Sequence, residues 1–216
     1  LVNGMDVSGK YELIAVEVEK AIHRIGRCVV TMRDGDAVAE DFPASSSEDF
    51  EFGNELEIQL GYEGRNQSVF KGVVFGQRLR VEGNATVLSV DVRDKAVNEA
   101  GAAVLDVAQL ESEAVLSVTF GMDILDFDLR LGAPSQSTAM RADLAKSTGR
   151  IRFPGSALAA LGELIAIHGF GRRFDGKGYV SGVRHLVQEG TWTTEVEIGL
   201  PPVAVAPEEK NSAKVI

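Results

Sequence analysis

The chain has 216 residues, and 32 acidic against 22 basic side chains give it a net charge of −10 at pH 7. An acidic chain lacks the basic surface that nucleic acids and anionic lipids need, so we expect neither as the main partner. Its longest apolar runs are far shorter than the roughly 20 residues that cross a bilayer, and no basic and apolar leader opens it. We therefore predict no membrane span and no secretory leader.

Cys28 is the only cysteine, which excludes an intrachain disulfide and a cysteine-rich metal site. It lies in the apolar run 27–31, where a thiol behaves as a small hydrophobic group. We therefore interpret Cys28 as a buried apolar residue rather than a reactive thiol.

The first half of the sequence alternates apolar and polar residues between turn signals. The pattern predicts strands at residues 11–18, 27–33, 54–60, 68–77, 79–81 and 86–92. The first two are expected to form an antiparallel pair, and Asp34-Gly35 and Gly83-Asn84 are typical turn dipeptides. Several short strands with turns every eight to twelve residues favour a small barrel or sandwich.

The second half is less regular. Residues 98–109 are rich in alanine and predict a short helix, 138–146 predict another, and 114–120 and 124–131 read as strands. Further strands are predicted at 150–153, 164–168, 179–187 and 191–198, the last two forming a hairpin. From Pro201 onward, prolines predict an extended linker that cannot continue a sheet.

A glycine-rich segment, 169–176, follows a predicted strand and contains Gly169-Phe170-Gly171. A dinucleotide-binding turn must open a helix, yet the residues that follow alternate like a strand. We therefore predict a hairpin loop here and no cofactor.

The three histidines His23, His168 and His185 are far apart in sequence and belong to no metal-binding motif. We expect packing or surface roles, with His185 capping the sheet or contacting a partner.

Acidic residues in turns and strands are interpreted as solvated surface charge rather than catalytic pairs. They are Asp34, Asp36, Asp123, Asp126 and Asp128. Ser181 lies in mid-strand and not on the strand-to-helix turn of a nucleophilic serine. No residue is therefore predicted to be catalytic, to bind a cofactor or to ligate a metal, and we expect a protein that is not an enzyme.

Two stretches resemble the hub part of the VgrG family, the spike proteins of contractile injection systems and phage tails. The first combines FEFGNELEIQLGY (50–62), SVFKGVV (68–74) and LSVDVRD (88–94). The second combines GELIAIHGFG (162–171), RFDG (173–176), YVSGVRH (179–185) and GTWTTEVEIGL (190–200). Segments 16–20 and 32–35 fit the same pattern.

This resemblance implies a mainly β fold with minor α, in which two small β-barrel-like domains are linked by a partly helical middle segment. The implied domains are 1–97 and 149–202, with a connecting segment at 98–148 and a linker toward a spike at 203–216. Family members usually carry a longer, helical insertion in the middle, so this chain is either a minimal hub or incomplete there.

The implied function is that of a trimeric baseplate hub, a structural adaptor between a hexameric inner tube and a spike. Its implied partners are two further copies, an Hcp-like or tail-tube protein, a spike or tip protein, baseplate wedge components and effector cargo. Such a subunit is assembled in the bacterial cytoplasm and becomes part of a phage tail, secretion system or extracellular injection particle.

Large aromatic residues are the candidates for core or subunit contacts in such a hub: Phe174, Tyr179 and Trp192. Two alternatives stay open at this point. A non-catalytic β-barrel binding module of an unrelated family would show the same strand pattern. A cell-wall hydrolase would need paired acids or a metal in a cleft.

Overall fold

The computed structural model describes residues 1–22, 24–35, 41–82, 85–95, 113–131 and 147–199. Within them the chain forms eleven strands and one short 3-10 helix, Glu48–Phe50, which confirms a mainly β protein. The first five strands are β1 Leu13–Ala21, β2 Arg24–Asp34, β3 Glu55–Tyr62, β4 Arg65–Glu82 and β5 Ala85–Asp94. The others are β6 Leu116–Thr119, β7 Asp126–Leu131, β8 Ser147–Pro154, β9 Leu164–His168, β10 Gly176–Gln188 and β11 Thr191–Ile198.

Period-2 alternation placed most strands correctly, and β9 and β11 have the predicted bounds. The two strands predicted at 68–77 and 79–81 are one strand, β4, because a bulge at Phe75 lets the chain shift register and keep its pairing with β5. The helices predicted at 98–109 and 138–146 lie outside the described residues.

All the strands belong to one sheet with the order β3-β4-β5-β2-β1-β10-β11-β8-β7, while β9 pairs with β10 and with β6. Every pairing except β6 with β9 is antiparallel. Strands β1–β5 and β7–β11 repeat one topology, since their orders are β1-β2-β5-β4-β3 and β7-β8-β11-β10-β9. We call them the first and second units.

The repeat extends to the bulges. In each unit the fourth strand pairs with the third over its first part and with the fifth over its second part. A register shift marks the change of partner and precedes a glycine in both: Gly76, which faces Asp91, and Gly182, which faces Glu197. These two positions therefore correspond, although the sequences around them differ.

The two units join through β1 and β10, which pair from Ala15–Gln188 to Ala21–Gly182. Each unit has its own apolar core. The first contains Val18, Met32, Phe70, Leu88, Val90 and Val92, and the second contains Ile151, Phe153, Ile165, Ile167, Val196 and Ile198.

The sheet is strongly curled. β3 and β11 are six places apart in the strand order, which in a flat sheet would separate them by about 29 Å, at about 4.8 Å per strand. The ring centroids of Tyr62 on β3 and Trp192 on β11 are only 5.2 Å apart. The first unit and the adjoining strands β10 and β11 therefore wrap around the first core.

Candidate assembly surface

The outer face of the sheet carries charges whose sign alternates from strand to strand, except at Arg130 on β7 and at Arg93 on β5, which faces Arg27. From one side to the other, the side chains are Asp126 and Asp128 (β7), Arg150 and Arg152 (β8), Glu195 and Glu197 (β11), Arg184 (β10), Glu17 and Glu19 (β1), Arg27 (β2) and Asp91 (β5). Facing residues on neighbouring strands interact, and the acidic strands β11 and β1 each lie between two basic ones.

Ion pairs join four pairs of neighbouring strands: β7 with β8, β8 with β11, β10 with β1, and β2 with β5. The N–O distances are 3.3 Å for Arg152–Asp126, 3.8 Å for Arg150–Glu195, 2.6 Å for Arg184–Glu17 and 3.1 Å for Arg27–Asp91. Solvent-exposed pairs contribute about 0–1 kcal/mol each. Their main effect is on the register of strand pairing, because a slip of one residue would turn the charged side chains toward the core and the apolar ones toward solvent.

Beneath this face, the two units meet at a buried polar contact. His185 on β10 faces Val18 on β1, and its Nδ1 lies 2.9 Å from the hydroxyl of Thr194. Trp192 packs against the His185 ring, at 5.9 Å between centroids, and covers Gly155. Within the described residues the buried indole N–H of Trp192 has no hydrogen-bond acceptor.

His185 does not cap the sheet, so that prediction was wrong. It is only 3% exposed, because alternation along β10 turns it toward the core beside Val183. Burial, helped by the nearby positive charge of Lys20, lowers the pKa of His185 to about 4. The imidazole is thus neutral at pH 7, which suits a packing role.

Lys20 lies at the same junction, with its ammonium 5.8 Å from the centre of the Phe70 ring. Burial lowers its pKa, and the charge of Asp94 opposes that effect. Lys20, Asp94 and His185 line an open cleft of about 350 Å³ together with Ala157 and Leu161. The cleft lies between the units, and we interpret it as part of their contact.

Asp34 is buried, which corrects its interpretation as a solvated charge. Its carboxylate accepts hydrogen bonds from the backbone N–H groups of Gly35, Ala44 and Ser45, at 2.9, 2.9 and 2.8 Å. Burial alone would raise the pKa of Asp34, but these hydrogen bonds outweigh it and the pKa is lowered. Sequence reasoning missed this role because two of the three residues that bond to Asp34, Ala44 and Ser45, follow ten and eleven positions later.

An apolar patch lies beside β7. The rings of Phe120, Phe127 and Phe170 form a cluster with centroid distances of 4.8 to 5.7 Å. Phe120 and Phe127 are exposed, and Met122 and Leu125 next to them are more so. Exposed apolar patches of this kind mark contact surfaces.

The glycine-rich segment is a hairpin loop, as predicted, because β9 and β10 pair antiparallel on either side of it. Gly169 and Gly171 have φ values of 87° and 83°, which glycine adopts without strain. The Asp175 carboxylate accepts the backbone N–H of Phe170 at 2.7 Å and fixes the loop.

Cys28 is buried, as predicted, and burial raises the pKa of its thiol well above the ordinary value. Tyr179 and Trp192 are buried in the core, whereas Phe174 is half-buried.

The remaining polar candidates lie at the surface or in a strand. Asp123, Asp126, Asp128 and His168 are exposed, and Ser181 lies at the bulge of β10. His23 and Asp36 lie outside the described residues.

The described residues hold no candidate metal site. Nowhere in that part of the chain do three or more His, Cys, Asp or Glu side chains lie close enough to hold a metal ion. Among the described residues, no helix has the length and apolar character to cross a membrane.

Comparison with known proteins gives a family. A family model described as the Alg8 N-terminal domain matches residues 1–103 and 130–189, which is most of the chain. The chain belongs to the Alg8 N-terminal domain family. No curated protein matches it.

Solved structures share the fold of this Alg8 N-terminal domain at 9 to 10% sequence identity. A 43 kDa prophage MuSo2 tail protein from Shewanella oneidensis has a TM-score of 0.58 over 86% of this chain and 92% of its own. A tail protein from Neisseria meningitidis has a TM-score of 0.58 over 87% and 92%. An E. coli protein, described as a type VI secretion component similar in structure to tail proteins of bacteriophage T4, has a TM-score of 0.60 over 93% and 76%.

Proposed function

We propose that this chain is a structural hub subunit, similar to VgrG, of a phage tail or contractile injection system, and that it is not an enzyme. It forms a homotrimer between a hexameric inner tube and a spike. The observation that carries the proposal is the internal repeat: one chain presents two units of the same topology side by side in one sheet.

The repeat explains how a trimer can match a hexamer. Three chains with two equivalent units each present six similar surfaces around one axis, so a ring of threefold symmetry can stack on a ring of sixfold symmetry. The curl around the first core supports the barrel-like shape that the family resemblance implies. The shared fold with tail and type VI secretion proteins supports the same role.

The remaining partners follow from that position. One face of the ring contacts an Hcp-like or tail-tube protein, the other leads to the spike, and baseplate wedge components surround it. Assembly takes place in the bacterial cytoplasm, and effector cargo travels with the finished particle.

Sedimentation equilibrium of the purified chain tests the proposal, together with binding to a purified inner-tube protein of a contractile injection system. We expect a species of three times the 23.1 kDa chain mass that binds the tube protein. A strict monomer at high concentration that also fails to bind would contradict the hub. A cell-wall digestion assay on the same sample tests the non-enzymatic role, which any lytic activity would refute.

A further inference from the structure

We propose that copies of this chain join edge to edge, with β7 of one copy pairing antiparallel with residues 75–82 of β4 in the next. The inference rests on the proposed homotrimer and names the strands that form it. Neighbouring copies would thereby share one continuous sheet.

Both strands have an edge that the described residues leave uncovered. β7 pairs with β8 alone, and beyond Val74 only β5 pairs with β4 within that part of the chain. On β4, Phe75 is 64% and Val81 is 77% exposed. On β7, Phe127 is 45% exposed. An exposed edge with apolar side chains is a template for pairing with another strand.

The internal repeat identifies the strand that fits each edge. Within one chain the units meet where β1, the first strand of one unit, pairs with β10, the fourth strand of the other. β7 and β4 are the remaining first and fourth strands. Their pairing repeats the same contact with the units exchanged, so successive copies can close into a ring.

The repeat also gives the register. Strand by strand, Glu17 and Val18 of β1 correspond to Asp128 and Leu129 of β7. On the other side, Arg184 and His185 of β10 correspond to Arg78 and Leu79 of β4.

Known contacts within the chain therefore predict those between copies. Val18 faces His185, so Leu129 would face Leu79. Arg184 forms an ion pair with Glu17 at 2.6 Å, so Arg78 would pair with Asp128.

Charge on the outer face favours this pairing at Asp128, although the same register sets Arg130 opposite Arg78. β7 is an acidic strand at the end of the alternating series, and residues 75–82 of β4 include the basic Arg78 and Arg80. At one position the units differ: Glu19, which faces Arg184, corresponds to Arg130. Asp128 already contacts Arg130 at 3.0 Å, so its carboxylate would lie among several guanidinium groups. Asp128 is therefore the side chain on which the contact depends most.

Charge reversal tests the pairing in the intact chain. We expect Asp128→Arg to raise the dissociation constant of the trimer at least about tenfold, because like charges across an interface oppose association. Adding Arg78→Asp should recover much of the loss. Arg65→Asp is the matched control, because Arg65 is an exposed arginine of β4 outside the proposed contact, and the trimer should be unchanged.

Disulfide trapping is the second measurement and needs only mild substitutions. A Leu129→Cys chain mixed with a Leu79→Cys chain should give a covalent dimer on mild oxidation. The native Cys28 is buried and will not compete. Val115→Cys, at an exposed apolar position outside β4 and β7, replaces Leu79→Cys in the control and should give no dimer.

The outcomes separate the two proposals. A trimer that is unaffected by Asp128→Arg and gives no Leu129–Leu79 cross-link overturns the edge pairing and leaves the hub intact. A monomeric chain that does not bind tube protein overturns both. If Asp128→Arg does not fold, the cross-link alone decides.

Discussion

Two buried polar side chains hold the fold at places where loops and units meet. Asp34 satisfies three backbone N–H groups of the segment that follows β2, and His185 bonds to Thr194 where the two units join. A buried polar group stabilises the fold only while its hydrogen bonds are made. If one partner is removed, the buried groups that remain have neither water nor protein to bond to. Both residues therefore belong to the framework of the protein.

Replacing Asp34 with Ala should lower the free energy of unfolding by about 2–3 kcal/mol, because buried N–H groups of Ala44 and Ser45 lose their acceptor. Urea unfolding measures the change. Asp126→Ala, at an exposed position with one surface ion pair, is the control and should cost less than about 1 kcal/mol. Equal losses in the two variants would refute the anchoring role of Asp34.

Acid should weaken the contact at His185. Its pKa is about 4 in the folded protein and about 6.5 when unfolded, so the unfolded chain binds the proton more readily. The contribution of neutral His185 to the free energy of unfolding is fully present above pH 6.5. It falls as the pH drops toward 4, by up to about 3 kcal/mol. Unfolding measured between pH 7 and 4.5 should show this loss, and His185→Leu, which has no proton to bind, should lessen it. An unchanged pH profile in His185→Leu would contradict the assignment.

At the scale of elements, the segment after β8 closes the contact between the units. Gly155 donates its backbone N–H to the Trp192 carbonyl at 2.9 Å, and Ser156 donates its own to the Thr194 hydroxyl at 3.0 Å. Tyr62 reaches the same indole ring from β3. The segment can lie this close only because position 155 has no side chain.

A side chain at position 155 should therefore disturb the contact. A Cβ there would lie 1.9 Å from Cδ2 of Trp192, so Gly155→Ala should cost about 1–3 kcal/mol through overpacking. Thermal unfolding followed by circular dichroism measures the loss. Gly9→Ala is the control, since its Cβ would meet open space. Similar midpoints for the two variants would contradict the close packing.

At the scale of the whole molecule, one sheet runs through both units and couples them. The β1–β10 pairing and the curl that brings Tyr62 to Trp192 connect two cores that each belong to one unit. A chain with such shared strands is expected to unfold as one cooperative structure. This coupling is consistent with the hub role proposed above.

The single tryptophan gives a direct measurement of that coupling. Trp192 lies where the units meet, so its fluorescence reports the contact, whereas far-UV circular dichroism reports all the strands. We expect both signals to change at the same denaturant concentration. A fluorescence transition well before the loss of strand signal would show that the units separate first and would refute the coupling.

Local patterns in the sequence determined much of this structure. Period-2 alternation identified the strands because it reflects which residues face the core, whereas the turn predicted at Gly83-Asn84 lies outside the described residues. The glycine-rich hairpin loop, the burial of Cys28 and the exposure of Asp126 and Asp128 also followed from local context. The sequence also shows which strands are acidic and which are basic, although their alternation across the sheet depends on the strand order.

Tertiary structure decided what depends on distant residues. The places of Asp34 and His185 follow from partners that fold onto them, and no local pattern records such partners. The strand order that reveals two equivalent units also becomes visible only after pairing, because strands far apart in the chain become neighbours. Alternation fixes the faces of a strand, but only the assembled sheet fixes its neighbours and its free edges.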